Sequence, residues 1–238
     1  MSSLPKQQLE LYTDVLQLAE FDATEQEIFD KQFDALVGTD DSIRRALLGD
    51  RRSSIIDGVR AIKYQLDQQK FGGINAKDSE VAFGPIRLGH LKRANALLAS
   101  WTFIHNATPY TFTDFLTGAT AAKGFSFGTK HGVVIVGLQV EPLKPTERPY
   151  LAEINIEVGR SILIPISVEP ISEADNSHRV HIIPIPTIVG LPKGASNIMM
   201  QVSAREPSAV ERIKPIGFTV GLGGFLKITA PVAGDWTT

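Results

Sequence analysis

Residues 131–142 read HGVVIVGLQVEP. Successive residues of a strand point to opposite faces, so Val133, Val134, Ile135 and Val136 make any strand built here apolar on both sides. The neighbouring stretch 150–159, YLAEINIEVG, behaves differently. There Ala152, Ile154, Ile156 and Val158 alternate with Leu151, Glu153, Asn155 and Glu157, the pattern of a strand with one wet face. A membrane hairpin keeps a polar lumenal face, which VVIV lacks, so 131–142 reads better as the central strand of a sandwich than as part of a pore.

Around that strand, everything after His105 is rich in β-branched residues, Gly and Pro. Short apolar runs bounded by turn residues recur as GFSFGT, HGVVIVGLQVEP, YLAEINIEVG, SILIPISVEP, RVHIIPIPTIV, SNIMMQVSAR, IGFTVGL and GFLKITAPV. No helical segments separate them, which predicts an antiparallel β-sandwich, jelly-roll-like or immunoglobulin-like, over residues 105–238.

The first 104 residues carry the other period. Leu9, Tyr12, Leu16 and Ala19 recur at helical spacing, and Thr24 with Glu27 forms a capping-box pattern ahead of Ile28, Phe29, Phe33, Leu36 and Val37. A third helix is expected from Asp41 or Ser42 to Leu48. A fourth, from Ser53 or Ser54, carries Ile55, Ile56, Val59, Ile62, Tyr64 and Leu66. A fifth is expected from about Pro85 to Phe103, with Ile86, Leu91, Ala94, Leu97, Leu98 and Trp101 on one side. The expected fold class is therefore α+β: an N-terminal helical bundle over 1–104, followed by the sandwich.

Composition narrows the function. The 238 residues contain 24 basic and 26 acidic side chains, no cysteine, and no basic run of the kind a sequence-independent nucleic-acid binder shows. Thiol nucleophiles, disulfides and cysteine-ligated zinc are excluded. The N-terminus lacks the basic-then-apolar pattern of a secretion signal, and no run of about 18 apolar residues suggests a membrane-spanning helix. A cytoplasmic or virion protein is expected.

The stretch 160–190, RSILIPISVEPISEADNSHRVHIIPIPTIVG, reads as a hairpin, with Pro165 opposite Pro184 and Val168 opposite His181. Proline cannot donate to a ladder, so these strands should be edges, or bends where the chain crosses between sheets. His178 and His181, three apart on a strand, point to opposite faces and should not share a metal ion.

The remaining motifs are weak. GFSFG at 124–128 matches a nucleophile elbow around Ser126, with Asp175 and His178 following, but the succeeding residues are strand-like, and Phe125 and Phe127 read as core. KFGGIN and GLGGF lack the spacing of a phosphate loop. The arginines of RRALLGDRR lie among Asp40, Asp41, Asp50 and Asp57 and read as a charged helix surface. The NAT sequon at 106–108 means little without secretion. Glu153 and Glu157 read as an outward-facing, solubilising pair.

No catalytic, cofactor-binding or metal-ligating set emerges, and no small-molecule ligand is named. The expected function is a non-catalytic structural or assembly protein, a homo-oligomer or a subunit of a larger particle such as a virion. Its contact residues are expected at Ile164, Pro165, Pro184 and Ile185, on the proline-bearing edge. The alternatives are a sandwich module binding glycan or protein, a pore-forming or membrane-active protein, and a serine hydrolase using Ser126.

Overall fold

The computed structural model describes residues 27, 30, 31, 33, 34, 42–70, 81–87, 90–93, 96–97, 100–115, 131–143, 148–158, 161–162, 165–168, 180–192 and 198–222. The helices are α1 (Ser42–Asp50) and α2 (Arg52–Lys70). The strands are β1 (Val81–Pro85), β2 (Lys92–Arg93), β3 (Ala96–Leu97), β4 (Thr102–Ile104), β5 (Thr113–Asp114) and β6 (His131–Pro142), then β7 (Leu151–Val158), β8 (Ser161–Ile162), β9 (Ile166–Ser167), β10 (His181–Gly190), β11 (Ile198–Ala204) and β12 (Val210–Leu222).

Two antiparallel sheets form the body. The first runs β1-β12-β6-β10, with β4 pairing β12 farther along; the second runs β5-β11-β7-β8, with β9 also on β7. β6 lies inside the first sheet, and both of its faces are used. Val133, Ile135, Leu138 and Val140 enter the core between the sheets, beside Leu151, Ile154, Ile156, Met200 and Val202. Val134 and Val136 enter a second core, under Leu47, Leu48, Ile55, Val59, Ile62 and Leu66 of the helices. The molecule is thus three layers deep, and each buried aliphatic side chain contributes about 1.5–3 kcal/mol through its removal from water.

The change of parity along β6, from 133 and 135 to 138 and 140, has a visible cause. Ile216 pairs with Gly137 and Gly217 with Ile135, which leaves Val136 as an extra residue in β6. Such a bulge shifts which residues face which side while keeping the strand in the sheet. Gly217 makes it possible: its φ is +153°, open to glycine and rarely adopted by other residues.

The helices lie close on the sheet because glycines face them. A β-carbon on Gly58 of α2 would come within 2.7 Å of a Val134 methyl, and one on Gly132 of β6 within 2.9 Å of Ile62. α2 presents Ile55, Val59, Ile62 and Leu66 along one stripe, as an amphipathic helix packed on one side should. Arg51 carries the main chain between the helices, accepting from Ile55 N–H at 2.9 Å and donating to Leu47 O at 3.1 Å. Arg52 then bridges Asp30 at 2.9 Å and Asp34 at 2.8 Å. Its guanidinium stands 4.8 Å from the centre of the Phe33 ring. The hydrogen bond to Asp30, followed by Asp34, holds that guanidinium above its usual range against the opposing effect of burial.

The architecture corrects the expected fold class. The described residues are mostly β-sheet, two antiparallel sheets with α1, α2 and the helical residues between 27 and 34, and not a helical bundle followed by a sandwich. The segment read as a fifth helix, about 85–103, contributes β2, β3 and β4, and β1 ends at Pro85. β1 and β4 both pair with β12, so strands from either side of residue 105 share one sheet. Ile86, Leu91, Trp101 and Phe103 do bury, but in the core between the sheets. Helical spacing and strand alternation both place these residues inside, and the open positions beside β12 draw the segment into the sheet. The first helix expected from the sequence lies outside the described residues; of the second, Glu27, Asp30, Lys31, Phe33 and Asp34 are described and helical.

The 160–190 hairpin does not form either. β8 and β9 pair with β7 in the second sheet, whereas β10 pairs with β6 in the first, placing His181 opposite Val140. Among the described strands β10 is nevertheless an edge, and Pro184 stands at one end of its bulge, where the register shifts between the Pro184–Gly137 and Ile188–Ile135 pairs. Pro215 is the exception that needs an account, since β12 is interior. Ile213 N–H bonds Trp101 O on the β4 side, and Gly217 O accepts from Ile86 N–H on the same side. Alternation points the nitrogen of Pro215 that way too, into the gap between β4 and β1, where no ladder bond is lost. No helix among the described residues is long and apolar enough to cross a membrane.

Candidate contact surface

Among the described residues, the helices cover only part of the outer face of the first sheet. Beyond Ile216 and Phe218 that face continues along β12 through Arg212 to Val210, and along β6, after the bulge, through Gln139 and Glu141 to Leu143. Arg44 reaches from α1 to Gln139 at 3.2 Å, and Arg212 meets Glu141 at 3.6 Å. Past these polar pairs comes an apolar row. Ile104 pairs with Val210, and Leu143 stands one position beyond Pro142, the partner of Glu211, which brings it level with Val210. Phe103 is buried in the core, so Ile104 must point outward. Ile104 is 62% exposed and Leu143 43%.

Two loops continue from this end of the sheet and are bonded to each other. His105 N–H bonds Ala209 O at 2.8 Å, Ser208 N–H bonds Asn106 O at 2.8 Å, and Tyr110 N–H bonds Ala204 O at 2.8 Å. The Asn106 side chain accepts from Thr108 N–H at 2.8 Å, a local turn that makes the sequon asparagine a loop-shaping residue. Tyr110 and Ser208 both adopt positive φ, 56° and 52°. For a tyrosine this conformation costs about 1 kcal/mol or more, so the surrounding hydrogen bonds must impose it. They hold the ring 53% exposed.

Beneath the loops lies a buried pair. His105 Nε2 and Glu211 Oε1 are 2.6 Å apart, with side chains 1% and 0% exposed. Glu211 Oε2 accepts from Tyr150 N–H at 2.8 Å, and the Phe103 ring stands edge-on to His105 at 4.8 Å. The pair therefore ties β12, the chain after β4 and the chain entering β7 at one point. A second buried polar group lies between the sheets, where His131 Nε2 meets His90 O at 2.7 Å and Thr219 Oγ1 meets His90 Nδ1 at 2.8 Å. Both groups are interior and serve as internal ties.

Of the contact residues expected from the sequence, Pro165 and Pro184 are exposed. Ile185 is not: at 1% exposure it belongs to the core between the sheets, because it follows Ile183 on the inward face of β10. It cannot form a contact surface. Ile164 lies outside the described residues, as do Ser126 with Phe125 and Phe127, Asp175 and His178. His181 is buried. Glu153 and Glu157 share the outer face of the second sheet, where Glu153 meets the Ser203 hydroxyl at 3.4 Å and Asn155 bonds Gln201 at 3.1 Å. The row of Ile104, Val210 and Leu143 is hidden in the sequence because the helical spacing from about Pro85 to Phe103 masks the strand β4. Its signal is the alternation in TFIH, with Thr102 and Ile104 against Phe103 and His105.

No family model matches the chain, and no curated protein does. Among solved structures it is similar to a chain in the structure of infectious bursal disease virus Gx strain, with 11% identity and a TM-score of 0.25. That match covers 68% of this chain and 38% of the other.

Proposed function

We propose that the protein is a non-catalytic structural subunit that associates through the Ile104 end of the sandwich, with other copies of itself in a larger assembly such as a virion. The observation carrying this reading is the row of Ile104, Val210 and Leu143, level across β4, β12 and the end of β6 just past the described helices. Single exposed aliphatic residues are ordinary, but a contiguous apolar strip is what contact sites use. The second support is the placement of the described histidines. His90, His105, His131 and His181 are all buried, the first three in internal ties.

Light scattering across a concentration series tests the proposal. Wild type should form a species larger than the monomer, and Ile104→Asp or Leu143→Asp should return it to monomer with an unchanged circular dichroism spectrum. A wild type that stays monomeric at high concentration, or variants that associate as wild type does, would overturn it. A monomer stabilised by added glycan or peptide would favour a binding module instead.

A further inference from the structure

β4 has one strand edge against β12 and the other open. Ile213 N–H bonds Trp101 O, and His105 N–H bonds Ala209 O, so the main-chain groups of residues 101, 103 and 105 face β12. By alternation those of Thr102 and Ile104 face away from it. Thr102 N–H is taken by the Ser100 hydroxyl at 3.0 Å. Among the described residues no strand pairs with β4 on that side, and Ile104, 62% exposed, presents its N–H and C=O there. Resting on the function proposed above, we infer that β4 is a two-fold pairing strand: it adds antiparallel to β4 of a second copy, Ile104 opposite Ile104, so that the first sheet runs on from one subunit into the next.

Symmetry selects this pairing. A residue that meets its own copy across a two-fold axis exchanges two hydrogen bonds, N–H to C=O in each direction, and the outward groups of Ile104 supply both. The neighbouring registers are blocked, since Ser100 holds Thr102 N–H and Ser208 N–H holds Asn106 O. An axis perpendicular to the sheet sets this edge against itself with both Ile104 side chains on the same face. The row of Leu143, Val210 and Ile104 then continues into Ile104, Val210 and Leu143 of the second copy, which doubles the apolar strip. Identical residues meet at such an axis, so a charge there would repel its copy; residues 100–108 contain no Lys, Arg, Asp or Glu. Edges that must stay alone are blunted by charge or proline. β10, an edge of the same sheet among the described strands, carries Pro184 and Pro186, whereas 100–108 has no proline. A stable interface buries about 800 Å² on each partner, and this register brings the 105–110 loop of the second copy alongside Ser100 and Thr102 to add to the strip.

The chain has no cysteine, so a single introduced thiol reports on its own copy. Facing α-carbons of a hydrogen-bonded antiparallel pair stand about 5.5 Å apart, within disulfide reach, whereas the two Leu143 positions, at the far ends of the doubled row, stand about 24 Å apart. Oxidised with copper phenanthroline, full-length Ile104→Cys should run mostly as a disulfide-linked dimer and Leu143→Cys mostly as single chains. Residue-resolved hydrogen exchange of the wild type across a concentration series gives a readout that needs no substitution. On association Ile104 N–H should gain protection about tenfold or more, while Ile213 N–H, already bonded to Trp101 O, changes less than about twofold. If reduced Ile104→Cys no longer associates, the wild-type Ile104 amide decides alone. Light scattering separates the two ideas. A wild type that stays monomeric overturns the contact surface and the pairing together. Association with Ile104 N–H unprotected, or with Leu143→Cys linked in place of Ile104→Cys, overturns the pairing and leaves the contact surface standing.

Discussion

Gly217 and Val134 meet main chain to main chain. A β-carbon built on Gly217 would stand 1.9 Å from the Val134 carbonyl oxygen and 3.0 Å from the Ile135 α-carbon. Neither is the tip of a movable side chain, so nothing nearby can yield without breaking the β6–β12 ladder. This contact sets the bulge at Val136 and therefore the parity by which β6 fills both cores.

The first prediction concerns that contact. Gly217→Ala combines a forbidden approach with a φ that alanine avoids, and should cost about 3 kcal/mol or more. Urea unfolding checks it, and a loss below about 1 kcal/mol would show that the bulge can be accommodated some other way.

Gly58 sets two effects against each other. Alanine is favoured over glycine within a helix by about 1 kcal/mol, whereas forcing a methyl into a packed core typically costs about 1–3 kcal/mol. The Cβ would lie 2.7 Å and 3.1 Å from the two Val134 methyls and 3.0 Å from Val189. Val134 is fully buried. Overpacking should win, so Gly58→Ala lowers the melting temperature, while the same change at the open Gly49 position of α1, with nothing within 4 Å, should raise it.

Ile185 and Ile104 should part sharply under the same substitution. Ile185→Asp places an unpaired carboxylate between the sheets and should cost about 3–5 kcal/mol, enough to unfold a marginal domain. Ile104→Asp, on the open face, should change stability by less than about 0.5 kcal/mol. Thermal melts of the two variants, measured side by side, decide whether β10 faces inward at this position.

Asp57 supplies a dependence on pH. Burial pushes its carboxyl above the usual value of 3.8, with the Arg60 guanidinium partly offsetting the rise. The folded state therefore holds the proton more tightly than the unfolded chain does. Stability from this source is present below the unfolded value and is lost as pH rises through the folded one. Asp57→Asn, which removes the charge, should raise the melting temperature near pH 7, and the gain should shrink to nothing below about pH 4. A gain that persists in acid would assign the effect to packing.

What the sequence determined by itself was largely what local periodicity can carry. The two-faced apolar run VVIV predicted a central strand, the alternation of LAEINIEV a strand with one polar face, the stripe of Ile55, Val59, Ile62 and Leu66 a packed helix, and the prolines of IPIP an edge. Each depends on side-chain direction within a single element. Tertiary structure alone decided which elements meet. Residues 160–190 resemble a hairpin, yet the neighbours of β10 and β9 are β6 and β7, because hydrogen-bond partners in a sheet are chosen by the strands that can cover both apolar faces and not by closeness in the chain. Residues 102–104 carry too short a pattern to show their period, and their partner β12 lies about a hundred positions away. The orientation of Ile104 and the meeting of His105 with Glu211 follow from that pairing, and the burial of Ile185 from the pairing of β10 with β6, since register across the sheet determines which side chain faces water and which faces the core.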